Sequence, residues 1–150
     1  MSEIPKMVLV IEDSPSQALK LKYRLEREGL QVFWARDGRT GVDMALQLLP
    51  NAIVLDVEMP EMDGFEACRR IKADDRMSNI PVIMLTVHAE PGVVGELLAR
   101  GAVDFIPKDD FSIEVLLETL RQLHILSGTP TTEDASIPGS KSDLTGDDIP

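Results

Sequence analysis

Short apolar runs alternate with longer stretches of helical spacing along nearly the whole chain. The runs are 7–11 (MVLVI), 31–35 (QVFWA), 52–55 (AIVL), 81–85 (PVIML) and 103–106 (VDFI). Strands that are almost continuously apolar, rather than alternating with polar residues, must be covered on both faces. Coverage on both faces, with a helical stretch after each strand, is the pattern of a parallel sheet wound by crossover helices. Those crossovers are right-handed, which leaves few topologies. The expectation is an α/β fold with a doubly wound five-stranded parallel sheet and helices on both faces.

The intervening stretches carry helix signals. Ser14-Pro15-Ser16-Gln17 reads as a capping box with proline at the first helical position. That helix buries Ala18, Leu21 and Leu25 and stops near Glu28-Gly29. Asp37-Gly38 opens a second helix carrying Val42, Ala45, Leu46 and Leu49, stopped by Pro50. Asp63, with Glu66 three residues on, caps a third through Phe65, Ile71 and Lys72. A fourth is expected over Val93, Val94, Leu97 and Leu98, ending at Gly101. Ser112 starts the cleanest amphipathic helix, with Ile113, Leu116, Leu117, Leu120 and Leu123 at spacings of three and four. Beyond Ser127 the sequence turns to Gly, Pro, Ser, Thr and Asp without a period. The expected organisation is one folded unit over 1–127 and a disordered acidic tail over 128–150.

A chain of 150 residues with a formal charge of −11 is large enough for a proper core and has no general attraction to nucleic acid or anionic lipid. Proteins and cations are the partners it suits. Cys68 is the only cysteine, so no internal disulfide can form, and a packed thiol in a reducing compartment is expected. No run approaches the roughly 18 apolar residues of a membrane span, and the first run is too brief for a secretion signal. These features together predict a cytoplasmic protein.

Parallel strands point their carboxyl ends to one edge, and ligands of open α/β sheets bind beyond that edge, where strand order reverses. Placing strands one and three side by side there brings Glu12 and Asp13 next to Asp56. Thr86 and Lys108 follow the fourth and fifth strands. Successive side chains alternate in direction, so Glu12 and Asp13 cannot both point the same way. Clustered carboxylates repel, and without a cation at least one should titrate high. Mg²⁺ suits such an all-oxygen site.

At these residues the chain resembles a response-regulator receiver domain of the stand-alone chemotaxis type. The matching pieces are VLVIEDSPSQ, AIVLDVEMPEMDGFEACRRIK, IPVIMLTVHAE and GAVDFIPK, spanning about residues 5–127. The resemblance implies a flavodoxin-like strand order of 2-1-3-4-5. It implies that Asp56 accepts a phosphoryl group from the phosphohistidine of a histidine kinase or phosphotransfer protein. It also implies Mg²⁺ bound by Asp13 and Asp56, by Glu12 through water and by the Glu58 backbone carbonyl. Lys108 and the Thr86 hydroxyl would bind phosphoryl oxygens. Thr86 and Phe105 would form the switch by which modification repacks a face read by a downstream protein. Glu58 and His88, each two residues beyond a site residue, would tune the phosphoryl lifetime.

The implied protein is a phosphoacceptor rather than an enzyme, with no output domain, and a monomer or a phosphorylation-dependent dimer. One departure stands out: the family places proline after the lysine through a cis bond, whereas here Pro107 precedes Lys108 and Asp109 follows it. The Lys108–Asp109 bond is then trans or strained. His124 reads as a helix-end residue. The rival readings are a haloacid-dehalogenase-type phosphatase, suggested by Asp56-Val57-Glu58, and a scaffold that works without phosphorylation.

Overall fold

A computed structural model describes residues 4–57, 64–87, 104–109 and 112–126, together with Gly92, Gly95, Ala99 and Gly101. The elements run β1 (Met7–Ile11), α1 (Pro15–Arg27), β2 (Gln31–Ala35), α2 (Gly38–Leu48), β3 (Ala52–Asp56), α3 (Gly64–Ala73), β4 (Val82–Thr86), β5 (Asp104–Pro107) and α4 (Ser112–Gln122). All strand pairs are parallel, in the order β2-β1-β3-β4-β5. This is the doubly wound sheet that the sequence predicts. β3, β4 and β5 extend one residue further than the apolar runs suggest, because the ladder takes in Asp56, Thr86 and Pro107.

Strand parity divides the core in two. Val8, Val10 and Val54 face α1 and α4, packing on Leu21, Leu25, Leu116, Leu117 and Leu120. Leu9, Ile53 and Leu55 face the other way, against Ala45 of α2 and Ala67, Cys68 and Ile71 of α3. Cys68 is thus a buried, packed thiol. Burying each large aliphatic side chain contributes about 1.5–3 kcal/mol.

Helix ends follow the sequence with three differences. The Ser14 side chain accepts from the Gln17 N–H at 3.4 Å, but the Ser14 N–H goes to the Glu12 carboxylate at 3.2 Å. The reciprocal half of the capping box is therefore taken by a site residue. Leu49 does not join the buried face of α2. It is the left-handed C-cap (φ 47°) and 53% exposed, since Pro50 cannot continue the helix. Ile125 and Leu126 are buried beyond α4, because His124 turns left-handed (φ 61°) and sends them back onto the core. His124 itself is exposed at that helix end, as expected.

Other expectations hold. Glu28 ends α1, and Gly29 takes φ 92°. The Leu30 N–H reaches the Leu25 carbonyl at 3.3 Å and the Gly29 N–H that of Glu26 at 3.0 Å, forming a Schellman closure. Asp37 caps α2 through the Thr40 N–H at 2.7 Å. Gly92, Gly95 and Ala99 are helical and exposed. Glu58, Asp63, His88, Val93, Val94, Leu97, Leu98 and the segment 128–150 lie outside the described residues.

Candidate functional site

Each polar residue singled out at a strand end lies where the ladder stops. The last β1–β2 pair is Ile11 with Ala35, and the Glu12 N–H makes one further bond to the Ala35 carbonyl at 3.0 Å. Asp56 closes β3 opposite Leu85, and the Val57 N–H continues to the Leu85 carbonyl at 3.0 Å. Thr86 ends β4, and its carbonyl receives the Lys108 N–H at 2.8 Å, fixing Lys108 just past β5. Register alone thus places these four residues on one edge, and Asp13 follows Glu12 there.

Their side chains converge as predicted. Carboxylate oxygens of Glu12, Asp13 and Asp56 all lie within 4.8 Å of one another. Lys108 Nζ donates to Asp56 Oδ1 at 2.7 Å and lies 3.8 Å from Glu12 Oε1. Glu12 and Asp56 are each about 2% exposed, while Asp13 faces solvent, in keeping with side-chain alternation. Thr86 is fully buried. Phe105 pairs with Met84 across the ladder and is half-buried against the α2/α3 side of the core. No described peptide bond is cis, so the Lys108–Asp109 bond is trans. The Asp109 carbonyl accepts from the Ser112 N–H and hydroxyl, so the loop after β5 begins α4.

The electrostatics show what the cluster lacks. Burial pushes the Glu12 carboxyl up to about 7, and the neighbouring Asp56 adds to the shift by charge and by hydrogen bonding. The Ser14 N–H and Lys108 pull the other way without prevailing. Glu12 Oε1 is buried with no hydrogen-bond partner among the described residues. An orphaned carboxylate oxygen beside two further carboxylates, with the Lys108 ammonium as the described counter-charge, is a site short of positive charge. A divalent cation with oxygen preference fits that donor set.

Three features of the site are not evident from sequence motifs. Gly64 at the start of α3 sits against the end of β3: a Cβ there would stand 2.6 Å from the Asp56 carbonyl oxygen and from Val57 Cα. Its N–H donates to the Val57 carbonyl at 3.1 Å. Trp34, the only tryptophan, donates its indole N–H to the Glu12 carbonyl at 2.7 Å. A groove of about 290 Å³ between α1 and α4 opens beside Lys108 and is lined by Gln17, Lys20, Leu21, Val87 and Ile113 among others. The order β2-β1 is the signal that could have placed Trp34 near the acidic pair.

Comparison with known proteins agrees with this geometry. Residues 8–121 match the family model described as response regulator receiver domain. The chain is 35% identical over 113 residues to the protein PilH of Pseudomonas aeruginosa, covering 75% of this chain and 93% of PilH. The chemotaxis protein CheY4 of Vibrio cholerae superposes with a TM-score of 0.75 at 32% identity, covering 79% of this chain and 98% of that one. The receiver domain of the sensor histidine kinase PA1611 of P. aeruginosa superposes with a TM-score of 0.72 at 28% identity. It covers 79% of this chain and 97% of that domain, and was solved with magnesium coordinated in its active-site cleft. Other curated relatives are longer, and the chain spans 48% of one and 29% of another.

Proposed function

The chain belongs to the response regulator receiver family, and on that premise we propose that Asp56 is its phosphoacceptor, charged by the phosphohistidine of a histidine kinase or phosphotransfer protein. The observation that carries this assignment is the buried Asp56 carboxylate held 2.7 Å from Lys108 inside a carboxylate trio. In the reaction an Asp56 oxygen forms the new O–P bond while the N–P bond breaks, and the electron pair returns to the leaving imidazole. The Lys108 ammonium neutralises one phosphoryl oxygen, and the Thr86 hydroxyl donates to another. Because β3 and β5 fix Asp56 and Lys108 before a donor arrives, most of the catalysis is positioning and charge neutralisation.

Mg²⁺ is the cation this donor set suits, held by Asp13 and Asp56, with Glu12 acting through water and Glu58 through its carbonyl. When bound it supplies the positive charge that phosphoryl transfer needs. Glu12 must then be ionised, and the Lys108 ammonium 3.8 Å away favours that form.

Modification adds charge and acceptor oxygens at Asp56. Thr86 and Phe105, on the neighbouring strands β4 and β5, form the switch that carries the change to a face read by a downstream protein. Glu58 and His88 steer the hydrolytic water and set the phosphoryl lifetime. The receiver unit spans residues 1–127, a reading supported by the family match over 8–121. No helix among the described residues is long and apolar enough to cross a membrane. The protein acts in the cytoplasm, as a monomer or a phosphorylation-dependent dimer, and passes on a phosphoryl signal rather than turning over a substrate.

The test is incubation with acetyl phosphate and Mg²⁺. One acid-stable, base-labile phosphate per chain is expected, absent from Asp56→Asn. Label retained in Asp56→Asn, or steady turnover of small phosphoesters, would overturn the assignment and favour the phosphatase reading.

A further inference from the structure

We propose that Trp34 is a positioning residue for the acidic site: its indole N–H holds the Glu12–Asp13 peptide so that the Asp13 carboxylate faces a divalent cation. The inference rests on the metal-binding reading above and assigns a role to a side chain outside the carboxylate trio.

The β1–β2 ladder closes at Ile11 and Ala35, with one further bond from the Glu12 N–H to the Ala35 carbonyl at 3.0 Å. β2 ends there, so the ladder does not continue to the Glu12 carbonyl. Its donor comes from a side chain instead, Trp34 Nε1 at 2.7 Å. An indole nitrogen donates only, which suits it to a carbonyl that the ladder leaves without a donor.

The Glu12 carbonyl and the Asp13 N–H belong to one rigid planar unit. Fixing the oxygen fixes the plane, and the plane sets where the Asp13 side chain departs. Packing cannot do this for Asp13, which is exposed. On the far side the Ser14 N–H is tied to Glu12 Oε2 at 3.2 Å, so the acidic loop is anchored before and after Asp13. Trp34 is itself held: half-buried on β2, with the Arg36 guanidinium 5.6 Å over its ring.

The experiment is a calorimetric Mg²⁺ titration of the full chain, at a temperature where urea titration shows every variant fully folded. Trp34→Phe keeps an aromatic ring and removes the donor, along with one ring of the indole. It should bind Mg²⁺ about three- to tenfold more weakly, the affinity equivalent of one net hydrogen bond. Arg36→Ala keeps the donor and removes the stacked cation, and should bind within about twofold of the parent on the same scale. In the parent, the single indole N–H resonance should shift with Mg²⁺ and give the calorimetric Kd.

Trp34→Phe binding like the parent would overturn the proposal while leaving the metal site intact. Equal weakening in Arg36→Ala would also overturn it, pointing to general loosening of β2. A parent that binds no Mg²⁺ would sink the metal-binding reading itself, and this inference with it.

Discussion

The two edges of the sheet use the same apolar strands to opposite ends. At the amino edge every described connection is closed locally. The Met7 N–H meets Asn51 Oδ1 at 2.7 Å, the Asn51 N–H meets the Met7 carbonyl at 2.8 Å, and the Gln31 N–H meets the Lys6 carbonyl at 2.8 Å. Leu25 and Leu30 seal the end of α1, and Ile125 with Leu126 cover the same end of the core. At the carboxyl edge three carboxylates crowd together, one oxygen is orphaned, and Glu12 titrates near neutrality. Folding alone does not ask for such an arrangement. One edge is satisfied by the chain itself, and the other is completed from outside, which is what a site for a cation and a phosphoryl group requires.

The largest expected effect breaks the closed edge. Leu25→Ala removes a fully buried side chain and should lower unfolding free energy by about 2–5 kcal/mol in urea titration, with Mg²⁺ affinity unchanged in the folded state. A matching loss of Mg²⁺ affinity would show that the two edges are not independent.

Next comes the boundary of the open edge. Gly64→Ala forces a methyl against the backbone of Asp56 and Val57, so about 1–3 kcal/mol of stability should go. Here Mg²⁺ affinity should fall as well, because the displaced backbone is the one that carries Asp56. A variant that loses stability while binding Mg²⁺ normally would detach Gly64 from the site.

The smallest effect sharpens the contrast through pH. A carboxyl raised from 4.5 to about 7 on folding stabilises the fold fully below its unfolded value, and that contribution is lost as pH rises through about 7. In the presence of a chelator, the urea midpoint of the parent relative to Glu12→Gln should therefore fall between about pH 4.5 and 7, the unfolded and folded values of this carboxyl. With saturating Mg²⁺ the difference should shrink or reverse, since the cation favours ionised Glu12. A pH-independent difference in chelator would mean that Glu12 is not the titrating group.

Much of this was legible in the sequence because it depends on local rules. Apolar runs give the strands, and Asp37, Pro15 and Gly29 mark helix ends by their own conformational preferences. Parallel order then carries Glu12, Asp13, Asp56, Thr86 and Lys108 to one edge without further information. What stayed hidden depends on register and close approach. The half of the Ser14 capping box expected from Gln17 is supplied by Glu12, two residues before the cap rather than three after it. Leu49 fits the apolar spacing of α2, but the following proline decides its conformation. The bond from Trp34 joins residues 22 apart and exists only once β2 lies beside β1. Gly64 looks like an ordinary helix-start glycine until the end of β3 is placed against it.

The left-handed turn at His124 has a practical consequence. It returns Ile125 and Leu126 beside Ile4, Pro5, Lys6 and Gly29, at the pole opposite the carboxylates. Five strand residues at roughly 3.3 Å each put about 17 Å between the two poles. A dye or surface linker carried at Ile4, which is exposed at that pole, would sit clear of Asp56. Protein immobilised there should therefore remain open to a phosphodonor, which makes this pole the natural anchoring point for binding measurements.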